Sequence, residues 1–141
     1  MKKFISLLMS ILMCFSLSTA VSAQVIPANF VQPYYEMAAN ASSDLSISGT
    51  TATCVSRVNG LSGVVKITVN QYLQKQGFLW IWTTYDGAEW TETVSSDSLF
   101  VSNTKTGLTS GNYRLKSVFT LTDKNGKTET ITVYSGEVTV S

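Results

Sequence analysis

The most distinctive group of side chains in this sequence consists of four aromatic residues close together: Trp80, Trp82, Tyr85 and Trp90. Aromatic rings on a β-sheet bind sugars by stacking on apolar sugar faces, and they also anchor protein interfaces. Both uses require exposed rings, so the pattern predicts a binding surface at these four residues. The structural interpretation, which is favoured because large aromatic side chains usually pack, has one tryptophan filling the core and the other half-buried under the loop that carries Trp90.

Catalytic chemistry has few candidates in this chain. There is no histidine, so a serine or cysteine nucleophile lacks its commonest base and imidazole metal sites are excluded. Asp86, Glu89 and Glu92 could in principle act as paired carboxylates, but turn and surface charges explain them better. One mature cysteine, Cys54, is too few for a zinc site. We therefore predict a non-enzymatic protein with no catalytic residue, metal or cofactor.

The first 23 residues have the order of a secretory signal peptide, with basic Lys2 and Lys3 followed by an apolar run over residues 4–17. The run is shorter than the roughly 20 residues that cross a bilayer. Small residues then lead to Ala23, after which we expect cleavage; Ala20 is the second choice, and an uncleaved anchor is the alternative. The sequence thus predicts secretion, and no membrane association after cleavage.

The mature chain contains few charges and a single thiol. Without Lys2 and Lys3 it keeps eight basic residues against nine acidic ones, a net charge of −1. The basic residues are scattered, which argues against nucleic acid as a partner. Because Cys14 lies in the signal peptide, Cys54 must be buried, paired with another molecule or reactive, and apolar neighbours at alternate positions favour burial.

Residues 44–141 are predicted to form one all-β domain after an extended leader over residues 24–43. Helical spacing is absent after the signal, while β-branched and aromatic residues alternate with polar ones between glycine-containing turns. Without helical crossovers, such strands pack as an antiparallel sandwich or a barrel, of which the sandwich is favoured. The predicted strands cover residues 44–48, 51–59, 65–73, 78–85, 90–94, 99–104, 112–122 and 128–140, with a bend at Gly136.

An immunoglobulin-like β-sandwich of about seven strands is the more specific prediction. Gly111 to Leu115 has the spacing of a tyrosine corner, with Leu115 where a second cysteine would stand and Cys54 in the place of the first. Cys54 and Leu115 should then meet between the sheets. Strand alternation places Ile67 and Phe119 in the same core.

Several segments between Leu45 and Tyr134 together carry a resemblance to a known family: Gly49–Cys54, Val65–Val69 with Leu73–Lys75, Tyr113–Lys116, Asp123–Lys127 and Thr130–Tyr134. Through them the sequence resembles a family of small secreted proteins of Gram-positive bacteria known as a domain of unknown function. The resemblance implies an immunoglobulin or fibronectin type III type of fold and an extracellular location, and it carries over no catalytic residue.

Together these features predict an extracellular binding module whose partner is a polysaccharide or a protein at the cell surface. On the predicted strand over residues 78–85, Trp80 and Trp82 are two apart and should share a face. Phe78 to Trp82 contains no charge, so as an open edge it would invite pairing with another chain. The second candidate function is therefore a structural or self-associating surface protein, joined through this segment or through Cys54.

Overall fold

The computed structural model describes residues 33–141, so the predicted signal peptide and the leader up to residue 32 lie outside the described part. Within it, no helix is long and apolar enough to cross a membrane. Strands account for most of the chain, and one short 3-10 turn, Phe78–Trp80, interrupts them. The strands are β1 Ala38–Ser48, β2 Thr51–Gly60, β3 Val64–Gln76, β4 Trp82–Val94, β5 Ser98–Lys105, β6 Gly111–Asp123, β7 Thr128–Tyr134 and β8 Val138–Val140.

Two antiparallel sheets form the predicted immunoglobulin-like sandwich. One sheet has the order β1-β2-β5, and the other has the order β4-β3-β6-β7, with β8 pairing β6 as well. Because β7 and β8 pair with successive parts of β6, they form one edge interrupted around Gly136, as the sequence predicts. β4 belongs to the same sheet as β3 and lies at its edge, so it occupies the position of strand C′ in variable domains.

The first strand begins at Ala38 rather than at the predicted Asp44. Its first half contains alanine, asparagine and serine, which carry little strand signal on their own. Pairing with β2 nevertheless extends from Ser48 back to Ala38. The residues before it are held by β7, since both carboxylate oxygens of Glu129 accept backbone N–H groups, from Glu36 at 3.0 Å and Met37 at 2.7 Å.

Apolar residues between the sheets form two separate clusters. The first contains Ile67 and Phe119, and the second contains Cys54 and Leu115, as the core prediction requires. All four side chains have no exposed surface. Strand alternation also predicts that Val65 faces the core, on the side of Ile67. Its side chain is instead 47% exposed, because an irregularity between Val64 and Lys66 shifts the register and Val64 points inward.

A chain of hydrogen-bonded polar side chains, which we call the polar belt, lies in the buried interior. Its members come alternately from the two sheets: Asn103 on β5, Gln71 on β3, Ser56 on β2, Ser117 on β6 and Ser43 on β1. Gln71 and Ser117 occupy core-facing positions in the alternation of their strands, but because they are polar the sequence does not predict them as core residues.

The hydrogen bonds of the polar belt run in one direction, with each side chain donating to the next one from Asn103 to Ser43. The Asn103 amide donates to Gln71 Oε1 at 2.7 Å, and Gln71 Nε2 donates to Ser56 Oγ at 2.6 Å. Ser117 donates to Ser43 at 2.8 Å, so Ser56 must be the donor of the 2.6 Å bond to Ser117. Ser43 then donates to the carbonyl of Leu115. Among the described residues no buried side-chain nitrogen or oxygen lacks a partner.

The tyrosine corner predicted from Gly111 to Leu115 is present. The Tyr113 ring is fully buried at the start of β6, and its hydroxyl donates to the carbonyl oxygen of Thr109 at 2.7 Å. This bond ties the β5–β6 connection to the start of the strand. It therefore fixes the sandwich end that also carries the connection between β3 and β4.

The polar belt makes a testable contribution to stability. Gln71→Leu should lower the free energy of unfolding by about 2–3 kcal/mol, because Ser56 loses its donor and Asn103 its acceptor inside the protein. Urea unfolding followed by circular dichroism measures it. The control is Gln76→Leu on the same strand, which also removes a side-chain hydrogen bond, the one that Gln76 Oε1 accepts from Asn112 Nδ2, but at a half-buried site where water replaces it. Equal losses in the two variants would contradict the role of the belt.

Candidate functional site

The connection between β3 and β4 exposes four successive apolar side chains, which we call the apolar tip. Phe78 is 86% exposed, Leu79 63%, Trp80 77% and Ile81 58%. Large apolar side chains exposed singly are common, whereas a contiguous group of them marks an interaction site more often. The apolar tip is therefore the strongest candidate site in the described part of the chain.

The backbone of the apolar tip is strained. Leu79 and Trp80 have φ angles of 56° and 59°, in the left-handed region that side chains with a Cβ disfavour. The turn is closed by hydrogen bonds from the Gly77 N–H to the Ile81 carbonyl at 2.8 Å and from the Ile81 N–H to the Phe78 carbonyl at 3.3 Å. Tight hairpin turns normally place asparagine or glycine at such positions. Strain of this kind is concentrated at functional sites.

The predicted strand over residues 78–85 is wrong in its first half. Phe78–Trp80 is a turn and β4 begins at Trp82, then continues through Asp86 and Gly87 to Val94. The continuous strand replaces the two strands predicted over 78–85 and 90–94. Its register against β3 slips, because Thr84 pairs with Gln74 whereas Glu89 pairs with Tyr72. Asp86 and Gly87, which the sequence predicts to end a strand, therefore lie in a bulge over residues 85–88 within β4.

Trp80 and Trp82 do not share a face, contrary to the prediction from their spacing. Trp80 lies in the left-handed turn, where strand alternation does not apply. Trp82 lies on the outer face of the sheet and is half-buried. The structural alternative also fails for Trp80, since it neither fills the core nor lies half-buried.

Trp82 belongs to a stack with Arg114 and Tyr134. The Arg114 guanidinium carbon lies 4.4 Å from the centre of the Trp82 ring and 4.4 Å from the centre of the Tyr134 ring. Arg114 Nε also donates to Gln74 Oε1 at 2.9 Å. Cation–π contacts with two rings hold the guanidinium beside both of them. This stack supports the base of the apolar tip.

Tyr85 and Trp90 face the other side of the sheet. Both pack against the core cluster that contains Cys54 and Tyr113. The Tyr85 ring meets the Tyr113 ring edge-on with centroids 5.6 Å apart, and its hydroxyl donates to the carbonyl of Gly107 at 3.0 Å. The four aromatic residues predicted as one binding surface are therefore divided between the tip, the outer face and the core.

Two of the acidic residues of β4, Glu89 and Glu92, lie on different faces of the sheet. Glu89 pairs with Tyr72 and Glu92 with Val69. Since the two glutamates are three residues apart on a strand, they point to opposite faces of the sheet. Among residues 33–141 there is no group of three histidine, cysteine, aspartate or glutamate side chains close enough to hold a metal ion.

Cys54 is buried, as the sequence favours. Its side chain has no exposed surface, and desolvation by burial raises the pKa of its thiol to about 12. The thiol therefore stays protonated at neutral pH, and thiolate chemistry at this residue requires unfolding.

The described part of the chain also has a shallow cavity of about 320 Å³ between the β2–β3 and β6–β7 turns, at the opposite end of β3 from the apolar tip. Its wall includes Glu36 and Lys127, which form an ion pair at 2.7 Å. Asp123 Oδ1 in the same wall accepts backbone N–H groups of Asn125 and Lys127. These groups are paired with each other, so the cavity is a weaker candidate than the apolar tip.

Two solved structures that resemble this chain do so only distantly. No protein-family model and no curated protein matches it, so the resemblance to the Gram-positive family stays a prediction. Among solved structures, OgpA from Akkermansia muciniphila is 17% identical with a TM-score of 0.39, over 73% of this chain and 30% of OgpA. The CARDB domain of a Pyrococcus furiosus protein, solved with di-metal ions, is 18% identical with a TM-score of 0.38, over 72% of this chain and 91% of that one. At this distance neither likeness carries an argument about function.

The strain in the apolar tip is testable by substitution. Replacing Leu79 with Asn and Trp80 with Gly should raise the free energy of unfolding by about 1–2 kcal/mol, since both new residues adopt positive φ more readily. Urea unfolding measures the change. Ile81→Gly is the control, because φ at Ile81 is −76° and glycine there should destabilise by about 0.5–1 kcal/mol. A double variant less stable than the original chain would contradict the strain.

The raised pKa of Cys54 predicts a falling stability at alkaline pH. The unfolded thiol ionises near pH 8.5, whereas the folded thiol ionises at about 12. Its contribution is thus fully present below about pH 8.5 and is lost as the pH rises toward 12, at about 1.4 kcal/mol per unit. Urea unfolding of the original chain and of Cys54→Ala from pH 8 to 10.5 isolates this slope. Identical slopes in both proteins would show that Cys54 does not contribute.

Proposed function

We propose that this protein is a secreted, non-enzymatic binding module that meets its partner through the apolar tip. The observation that carries the proposal is the exposure of four successive apolar side chains, Phe78 to Ile81. An apolar group of this size in water is stabilised when a partner covers it. The left-handed backbone of Leu79 and Trp80 supports the same conclusion. If stability alone determined these two positions, we would expect residues such as asparagine or glycine, which adopt positive φ with less strain.

The partner of the apolar tip differs from the one expected for a flat aromatic surface. Sugar stacking on a sheet requires coplanar exposed rings, whereas Trp80 projects from a turn and Trp82 is covered by Arg114. A protruding tip suits a partner that surrounds it. The geometry therefore favours insertion of the tip into its partner over polysaccharide stacking on the sheet.

A non-enzymatic role is supported by what the candidate groups do in the fold. The Cys54 thiol is enclosed and its pKa is raised to about 12, and Glu89 and Glu92 point to opposite faces. The apolar tip itself contains no group able to transfer a proton or attack a carbonyl. Binding is the chemistry that its residues can perform.

Self-association is the second candidate function, and the same apolar tip favours it. Two copies could cover their tips against each other, which removes apolar surface from water. The route through an intermolecular disulfide is unfavourable because Cys54 has no exposed surface. Sizing at increasing concentration, with and without reductant, separates a concentration-dependent association through the tip from a monomeric module.

Tryptophan fluorescence tests the proposed binding function. Trp80 is the most exposed of the three tryptophans, so its emission should shift to shorter wavelength when a partner covers the tip. We expect a saturable shift in a titration of residues 24–141 with cell-surface proteins, polysaccharides or lipid. Trp80→Phe should lose most of the shift, whereas Trp90→Phe, a matched change at a ring packed on the core, should retain it. A shift that persists without Trp80 would place the binding site elsewhere.

A further inference from the structure

The shape and composition of the apolar tip restrict what can cover it. Its four side chains follow one another without a polar residue, and they project from the end of a hairpin. A rigid protein partner would need a matching cavity for such a tip. The interfacial region of a lipid bilayer adapts to any shape, and tryptophan and phenylalanine are the side chains that favour this region.

Two backbone hydrogen bonds close the turn that carries the apolar tip. The Gly77 N–H and the Ile81 N–H are both bonded to carbonyl oxygens within the turn. These two bonds lower the cost of dehydrating the turn, because each unpaired backbone group is expensive in an apolar environment. The strand ends on either side are paired with each other at Gln76 and Trp82.

Cations that are not in ion pairs lie beside the apolar tip. Lys75, three residues before Phe78, donates to Thr109 Oγ1 at 2.7 Å, and the Arg114 guanidinium carbon lies 4.4 Å from the centre of the Trp82 ring. The ion pair of the described residues joins Lys127 to Glu36 at the other end of the sandwich. Within residues 33–141, neither of these two positive charges is therefore neutralised by a carboxylate in an ion pair.

Carboxylates at this end are also few. Asp86 lies in the bulge of β4, near Lys105, whose ammonium donates to the carbonyl of Gly87 at 3.4 Å. Glu137 lies in the connection between β7 and β8. Lys75, Lys105 and Arg114 thus outnumber Asp86 and Glu137 at this end, whereas residues 24–141 as a whole contain eight basic and nine acidic residues.

We propose that the apolar tip inserts into the headgroup region of an anionic lipid bilayer, with Lys75 and Arg114 facing the lipid phosphates. This inference rests on the proposed function, since it names the partner of the same tip. The sequence predicts no membrane association after cleavage, because only a long apolar segment would indicate a membrane-spanning helix. Four residues are too few to span a bilayer, but they reach its interface when a hairpin presents them.

Vesicle binding tests the inference directly. Residues 24–141 should sediment with vesicles of phosphatidylglycerol and phosphatidylcholine, with a shift of tryptophan emission to shorter wavelength. A double variant, Phe78→Ser with Trp80→Ser, should weaken binding by about tenfold or more, since each side chain loses apolar burial. Trp80→Phe should keep sedimenting but lose most of the emission shift. Phe100→Ser, the same change at a ring 63% exposed on β5, should bind like the original chain.

Charge variants test the headgroup contact. Lys75→Gln with Arg114→Gln should weaken binding to anionic vesicles severalfold and reduce its salt dependence. Lys124→Gln, at the opposite end of the sandwich, should leave binding unchanged. Equal binding to pure phosphatidylcholine would overturn the anionic preference.

Two further outcomes separate this inference from the proposed function. Absence of sedimentation with both kinds of vesicle, or tip variants that sediment like the original chain, would overturn insertion into a bilayer. If protein or polysaccharide titration then still shifted Trp80 emission, the tip would remain a binding site with a different partner. If no ligand and no vesicle shifted it, the proposed function would fail as well.

Discussion

The hydrogen-bonded belt from Asn103 to Ser43 is the interaction on which the rest of the sandwich depends. Apolar contacts between two sheets have little directionality, so they permit small shifts of one sheet against the other. The polar belt does not permit them, because each of its side chains is hydrogen-bonded to at least one partner in the opposite sheet. With no disulfide between the sheets in the described residues, the polar belt fixes their alignment.

The same belt divides the core into two apolar clusters with different roles. One cluster, with Ile67 and Phe119, holds the end where Met37 and Glu129 secure the first strand. The other, with Cys54 and Leu115, lies at the end of the apolar tip and includes Tyr113 of the tyrosine corner. The tip thus extends from the end at which the corner, the ring pair of Tyr85 and Tyr113 and the Arg114 stack restrain the strands. A strained turn can persist there because its base is firmly held.

Side-chain alternation predicted the fold well and the candidate site poorly. Cys54, Leu115 and Phe119 lie on strands paired on both sides, where neighbouring strands impose the period of two. Phe78 to Trp82 has the same composition as a buried strand, so its residues were assigned to one. Its composition could not reveal the turn, because leucine and tryptophan are uncommon at positive φ. Gly77 and the absence of any charge were the available signals, and they indicated only a break followed by an apolar segment.

The sequence by itself determined an all-β sandwich, the burial of Cys54 and the tyrosine corner, because each follows from local spacing and from the need to bury one face of every strand. Only the tertiary structure decided that Gln71 and Ser117 join a polar belt, since a buried amide is acceptable only when distant strands supply its partners. It also decided that Trp80 leaves the sheet while Trp82 stays on it. That outcome depends on the position of the turn between β3 and β4. The position of the turn is set by the pairing of β3 with β4 on one side and with β6 on the other.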